Sequence, residues 1–294
     1  MEYLLQKSKI FLTLLWNEFI YGGHLLSLGA VSIVYTAAVL LGIKITWDGL
    51  LIFYLGPQAV YLYNRYKEFK EDILTNPERT KYIEKHVKMI PLLIFFLILI
   101  FVGILLYFNK AVVLLFSLLL FLFSFFYSLV FKKITKKIVN FKNFFVSLMW
   151  SLLVMVLIIY YSFSFNLSVF LIIIFVFLRL FVNTNFFDIK DIESDEKEGL
   201  LTLPIILGRK NFLNLLHVIN FISFVPIIIG VIEQILPCFS LFLLLLFFYS
   251  LFYLEKIRKQ NINIQKISYI MVDGEYILWP LILFLGKFSL IYGR

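Results

Sequence analysis

Nine apolar runs, most of them about long enough to cross a bilayer, decide what this chain can fold into. They cover 24–41, 49–63, 89–108, 111–131, 141–161, 167–187, 212–232, 237–254 and 271–291. A spanning helix needs ~20 mostly apolar residues, because backbone polar groups in hydrocarbon must be satisfied within the helix. With 62% of 294 residues apolar and 15% charged, an ordinary soluble domain, a disordered chain and a coiled coil are excluded. An outer-membrane barrel fits no better, since its strands are short and alternate. The expected fold is an all-α integral membrane protein with nine transmembrane helices, forming one polytopic domain over 1–294. Residues 1–20 are expected to lie in the interface as an amphipathic segment. They do not read as a signal peptide: the stretch 10–16 is short, Asn17 and Glu18 follow it, and no small-residue cleavage site appears.

Charge placement orients these spans. Of 27 basic residues, 22 fall on the side of the amino terminus and the four large loops, against 4 on the other side; Arg179 lies inside a span. The positive-inside rule then puts the amino terminus and those loops in the cytoplasm of a multi-pass protein of the cell membrane. The net charge of +9 therefore reads as orientation, and no nucleic-acid partner is expected. The single cysteine, Cys238, allows no internal disulfide and is expected to be a small buried hydrophobe. His24, His86 and His217 lack the spacing of a metal site.

Carboxylates do something orientation does not need. Five of 18 acidic residues lie between 68 and 84, and six between 188 and 198, on the same membrane face. If the second span continues as a helix, Asn64, Glu68 and Asp72 fall at i, i+4 and i+8, one face about 12 Å long. Asp188, Asp191 and Asp195 fall at i, i+3 and i+7, again one face, and Gly199 marks a helix stop. Rows of oxygen ligands suit Mg²⁺, which takes one or two carboxylates and completes its shell with water and phosphate oxygens. Two such rows can hold two ions bridged by a diphosphate, with nearby lysines and arginines balancing its charge, so that it departs more readily. Apolar helices beside the rows would house a hydrocarbon tail. A prenyl diphosphate has both parts.

The same segments carry a resemblance to the UbiA superfamily of intramembrane prenyltransferases. Asn64, Arg65, Glu68 and Asp72, followed by Asn76-Pro77-Glu78-Arg79-Thr80, resemble its first motif. Asp188, Asp191 and Asp195, then Gly199 and Thr202-Leu203-Pro204, resemble its second. Tyr127-Ser128 with Lys132 and Lys133 resembles a third feature, and the likeness spans about 25 to 290. It implies nine helices around a central cavity and Mg²⁺-dependent transfer of a prenyl group from a prenyl diphosphate to a lipid or aromatic acceptor. It further implies Asn64, Glu68, Asp72, Asp188, Asp191 and Asp195 as metal ligands. Arg65, Arg79, Lys132, Lys133 and Lys190 would bind the diphosphate, with Tyr127 and Lys132 in catalytic roles. The chain departs from the family pattern at Glu68, where aspartate is usual, at Ser194, where glycine is usual, and at Asn183, where some members carry arginine. An inactive scaffold with this fold, and a cation transporter, are the competing readings. A transporter would place its carboxylates near the bilayer midplane on broken helices.

Overall fold

A computed structural model describes residues 2–69, 73, 76–127, 134–258 and 264–292. Every regular element among them is helical, and none is a strand. In chain order they are α1 (Glu2–Tyr21), α2 (His24–Leu41), α3 (Trp47–Glu68), α4 (Pro77–His86), α5 (Ile90–Tyr107) and α6 (Ala111–Phe126). There follow α7 (Phe141–Ser151), α8 (Leu153–Tyr160), α9 (Leu167–Glu198), α10 (Leu203–Ile222) and α11 (Val225–Ile232). A 3₁₀ segment (Cys238–Leu244) leads into α12 (Leu245–Arg258), and a π-helical turn (Ile267–Val272) precedes α13 (Glu275–Tyr292). Seven stretches of the described residues are long and apolar enough to cross a membrane: His24–Leu41, Ile90–Tyr107, Phe141–Tyr160, Leu167–Glu198, Leu203–Ile232, Cys238–Arg258 and Ile267–Leu290. Ala111–Phe126 is apolar but shorter, and α3 carries Asp48, Arg65, Lys67 and Glu68. The chain is a multi-pass membrane protein.

Local chemistry sets the helix ends. Between α1 and α2 the chain turns at Gly23, whose φ of 88° lies in the left-handed region that only glycine adopts freely. A Cβ there would stand 2.2 Å from the Tyr61 ring, so close approach to α3 also demands glycine. Asn166 caps α9 by accepting from the Val169 N–H at 3.1 Å, and Gly199 closes it in the left-handed conformation. The 32 residues between span about 48 Å, well beyond a ~30 Å hydrocarbon core. The excess emerges as one continuous rod that carries the second acidic row.

The helices pack α3 on α5, α9 on α7 and α10, and α2 on both α3 and α13. Residues such as Ile33, Leu105, Leu157, Phe175 and Trp279 are buried between them. Apolar side chains also point outward, among them Leu92, Phe96 and Leu99 of α5 and Leu115 and Leu122 of α6, as helices facing lipid require. At the end of the bundle away from the acidic rows, the Tyr160 hydroxyl donates to Asp48, Lys110 Nζ donates to the Tyr160 carbonyl at 2.7 Å, and Tyr161 bonds Thr46 at 2.9 Å. These bonds tie α3, α6 and α8 together. Cys238 departs from the sequence expectation: it is exposed, not buried. It opens the 3₁₀ segment directly after Pro237, where the chain is still turning back toward the bundle.

Within the bundle lies a charge pair that the chain does not expose at all. Arg179 of α9 donates to Glu275 at the start of α13 through Nε (3.1 Å) and a terminal nitrogen, and both side chains are fully buried. Arg179 also donates to Asn220 and, at 3.4 Å, to Ser223 of the α10–α11 turn. Tyr253 of α12 donates to Glu275 Oε2 at 3.0 Å and to Asn183 at 2.9 Å. α9, α10, α12 and α13 are thus joined by one buried polar network.

Candidate active site

A cavity of about 410 Å³ opens at the end of the bundle where α3 and α9 carry their polar extensions. Its mouth is lined by Asn64, Arg65 and Glu68 from α3 and by Asp188, Lys190, Asp191 and Asp195 from α9, so Asn64 and Glu68 of the first row meet the second row at one opening. The helical continuation expected after the second span is real as far as Glu68; Asp72, Lys132 and Lys133 lie outside the described residues. Below the mouth the walls become apolar, with Ile52, Gly56, Phe101, Phe121, Met149 and Leu153 among them.

The carboxylates differ in what holds them. Asp188 is 1% exposed and Asp195 5%, a burial that would be very costly without a counter-charge. Lys142, from the first turn of α7, supplies it: its ammonium lies 2.8 Å from Asp188 and 2.8 Å from Asp195. Asn143 beside it donates to the second Asp188 oxygen, to Asn185 at 3.0 Å and to Asn140 at 2.8 Å. Asp191 faces the cavity with the Lys190 ammonium 3.6 Å away, and among the described residues its Oδ1 accepts no hydrogen bond.

Opposite these groups, α4 crosses the mouth. Asn76 sits at its start, its carbonyl accepting from the Thr80 N–H at 2.9 Å and its side-chain oxygen accepting from Lys190 at 2.7 Å and from the Tyr269 hydroxyl. The Arg79 guanidinium lies 5.5 Å from the centre of the Tyr269 ring, and Lys190 5.7 Å from it, distances at which cation–π attraction holds long side chains over a ring. Tyr21 at the end of α1 donates to Glu78 at 2.6 Å, and burial with this bond pushes its hydroxyl well above the usual tyrosine range, so it stays a donor. Tyr127 closes the wall beyond α6, its ring parallel to that of Phe145 at 5.4 Å.

Sequence reasoning passes over three contributors, Lys142, Asn143 and Tyr269, whereas Asp273, at the start of the last span on the same side, is expected from the sequence to be able to reach the cavity. Lys142 reads in the sequence as one of five loop lysines that serve orientation. Asn143 and Tyr269 also line the mouth, but neither belongs to a run with ligand spacing. Arg179 is nine residues before Asp188 and turns to Glu275, away from the cavity mouth.

Every donor in the two rows is an oxygen, the set that suits a hard cation. Lys142 shows that a positive charge fits between Asp188 and Asp195. Among the described residues no three carboxylate, histidine or cysteine groups stand close enough to enclose a metal unaided. Mg²⁺ needs no such cage, because waters and phosphate oxygens fill most of its shell.

The sequence model described as the UbiA prenyltransferase family matches residues 22–271. Among solved structures, a UbiA homologue from Aeropyrum pernix K1 superposes with a TM-score of 0.68 at 16% identity, covering 90% of this chain and 98% of that one. A structure reported for digeranylgeranylglyceryl phosphate synthase superposes with a TM-score of 0.56 at 16% identity, covering 92% and 95%. No curated protein matches the sequence.

Proposed function

The chain belongs to the UbiA prenyltransferase family, and from that membership we propose that it transfers a prenyl group from a prenyl diphosphate to a hydrophobic or aromatic acceptor. The observation that carries this reading is the convergence of Asn64 and Glu68 with Asp188, Asp191 and Asp195, beside Arg65, Arg79 and Lys190, on the mouth of a cavity whose depths are apolar. An anionic head and a hydrocarbon tail need those two environments end to end. Mg²⁺ would be held by Asn64, Glu68 and Asp72 on one side and by Asp188, Asp191 and Asp195 on the other. When bound there, it supplies the charge that stabilises departing diphosphate.

The protein's own groups do the rest. Arg79 and Lys190, held over Tyr269, present cations to the diphosphate from the α4 side, and Arg65, Lys132 and Lys133 add to them. Lys142 is tied to Asp188 and Asp195 and keeps that buried pair of carboxylates from repelling each other before the donor arrives. Tyr127 faces the cavity from the end of α6, where an electron-rich ring favours positive charge developing on the allylic carbon. The apolar wall excludes water, so the acceptor and not water meets that carbon. In the membrane the mouth and the amino terminus face the cytoplasm, with α1 at the interface.

Purified protein should release diphosphate from a prenyl diphosphate only with Mg²⁺ and an acceptor present. Asp191→Ala and Asp72→Ala should each lower that release at least ~100-fold, the scale of losing a group that stabilises transition-state charge. If no donor from geranyl to geranylgeranyl diphosphate is turned over with a panel of lipid and aromatic acceptors, the scaffold reading replaces this one.

A further inference from the structure

We propose that Asp273 and Tyr276, on one wall of the cavity, hold the hydroxyl of an alcohol or phenol acceptor, and that Asp273 takes its proton as the prenyl–oxygen bond forms. The proposal rests on the prenyl transfer argued above and adds the acceptor's reacting group, which makes the product an ether. Both residues line the cavity and stand three positions apart, where the π-helical turn hands over to α13. Glu275 between them is committed elsewhere, to its buried pair with Arg179.

Asp273 belongs to neither acidic row. Its side chain is half-buried, and no hydrogen bond from the described residues reaches its carboxylate. The charges that act on it most are Arg79 of α4, Lys190 of α9 and Arg65 of α3, the cations gathered at the mouth for the diphosphate. The carboxylate therefore stands beside the headgroup, at the level where the bond to the allylic carbon breaks. A carboxylate offers acceptor oxygens only, so what it takes from a ligand is a donated proton.

The Tyr276 hydroxyl is the complementary case. Asn183 Nδ2 donates to it at 2.7 Å. The Val272 carbonyl, 3.4 Å from the same nitrogen, can only accept, which settles which end of the amide faces Tyr276. The other end of the amide accepts from Tyr253 at 2.9 Å. With its oxygen already accepting, the Tyr276 hydroxyl has its own proton to give, and among the described residues nothing receives it. Its ring is 2% exposed and lies against Trp150, centroids 6.4 Å apart and planes at 18°, so the hydroxyl is held in place. The wall thus presents one acceptor and one donor. A hydroxyl uses both, donating to Asp273 and accepting from Tyr276; a carbonyl uses only Tyr276, and a bare ring carbon neither.

The acceptor oxygen forms its bond to the allylic carbon while the bond from that carbon to the diphosphate oxygen breaks, its electron pair leaving on the diphosphate. The hydroxyl proton passes to Asp273 and from there to water at the mouth. A base matters most where the hydroxyl is weakly acidic, because such an oxygen gives up its proton least readily.

Asp273→Asn keeps the shape and loses the base, and Tyr276→Phe keeps the ring and loses the donor. Both are compared with wild type, with Mg²⁺ and a prenyl diphosphate, on long-chain alcohols, phenols, their analogues made more acidic by fluorine beside the hydroxyl, and aromatic rings without a hydroxyl. Fragmentation mass spectrometry distinguishes ethers from carbon-prenylated products. Wild type should form ethers. Asp273→Asn should lower kcat on the plain hydroxyls at least ~100-fold, and that loss should shrink at least ~10-fold on the fluorinated analogues. Tyr276→Phe should raise the acceptor KM about 3- to 10-fold, the worth of one neutral hydrogen bond. Donor affinity by calorimetry should stay at the wild-type value in both variants. A loss in Asp273→Asn that is equal across acceptor acidity, or that comes with weakened donor binding, would make Asp273 a partner of the mouth cations and overturn its role as base. Carbon-prenylated products, or use of rings without a hydroxyl, would overturn the hydroxyl site and leave prenyl transfer standing. Turnover of no acceptor at all would sink the transfer reaction and this site with it.

Discussion

The buried pair between Arg179 and Glu275 allows a sharp test of what holds this bundle together. Both side chains are 0% exposed, and every oxygen of Glu275 and most donors of Arg179 are engaged inside the protein. Glu275→Gln keeps the shape and one acceptor oxygen but removes the charge, leaving a guanidinium in the bundle with no counter-ion. Breaking a buried pair in this way costs about 3–5 kcal/mol, because the remaining charge has lost its water and gained nothing. For a chain of this size the cost corresponds to a melting point lower by about 6–15 °C. Arg179→Met combined with Glu275→Leu removes both charges, and such replacements are often neutral or stabilising. The double variant should therefore recover most of what the single variant loses. Thermal unfolding of detergent-solubilised protein at a fixed scan rate measures both, since comparison at one rate remains valid where unfolding is irreversible. A single variant within about 1 °C of wild type would refute the argument that this charge is fully desolvated. A double variant as unstable as the single would show that geometry and not charge is what the pair supplies.

Other outcomes follow from the same structure. Lys142→Met should lower the melting point of metal-free protein, and added Mg²⁺ should raise it more in the variant than in wild type, because Asp188 and Asp195 have lost their ammonium; an equal Mg²⁺ effect in both would refute this. Gly23→Ala should destabilise by at least ~1 kcal/mol, through both its positive φ and the Tyr61 ring, as read by the same melts. Chelation of divalent cations should abolish diphosphate release, and Mg²⁺ should restore it; activity persisting in excess chelator would contradict the assignment of the oxygen rows.

Much of this was written in the sequence, because membrane helices announce themselves by composition. The run 24–41 is α2 residue for residue, Asp188, Asp191 and Asp195 lie in one helix as their spacing of three and four requires, and Asn64 and Glu68 share another. What periodicity cannot show is which distant residue meets which. Arg179 stood out as a charge inside a span, yet its partner lies 96 positions away on another helix. Lys142 looked like another positive-inside lysine after Lys132, Lys133, Lys136 and Lys137. Only the packing of α7 on α9 makes it the counter-ion of the second row. The role of Asn76 is hidden for a different reason: its value lies in joining Lys190 of α9 and Tyr269 of the π-helical turn, both far from it in sequence. Cys238 departs from the usual burial of cysteine because it opens the 3₁₀ segment after Pro237, at a turn where no neighbouring helix covers it.

The length of α9 constrains how this protein can change over time. One uninterrupted rod bears the Arg179 anchor, the Asn183 contact and the aspartates at 188, 191 and 195. Deleting a single residue between 180 and 187 would swing everything above it by ~100° about the rod's axis. The anchor would stay fixed while the carboxylates turned off the opening, or the reverse. Residue identities along that stretch are free to drift within size and polarity, but their number is not.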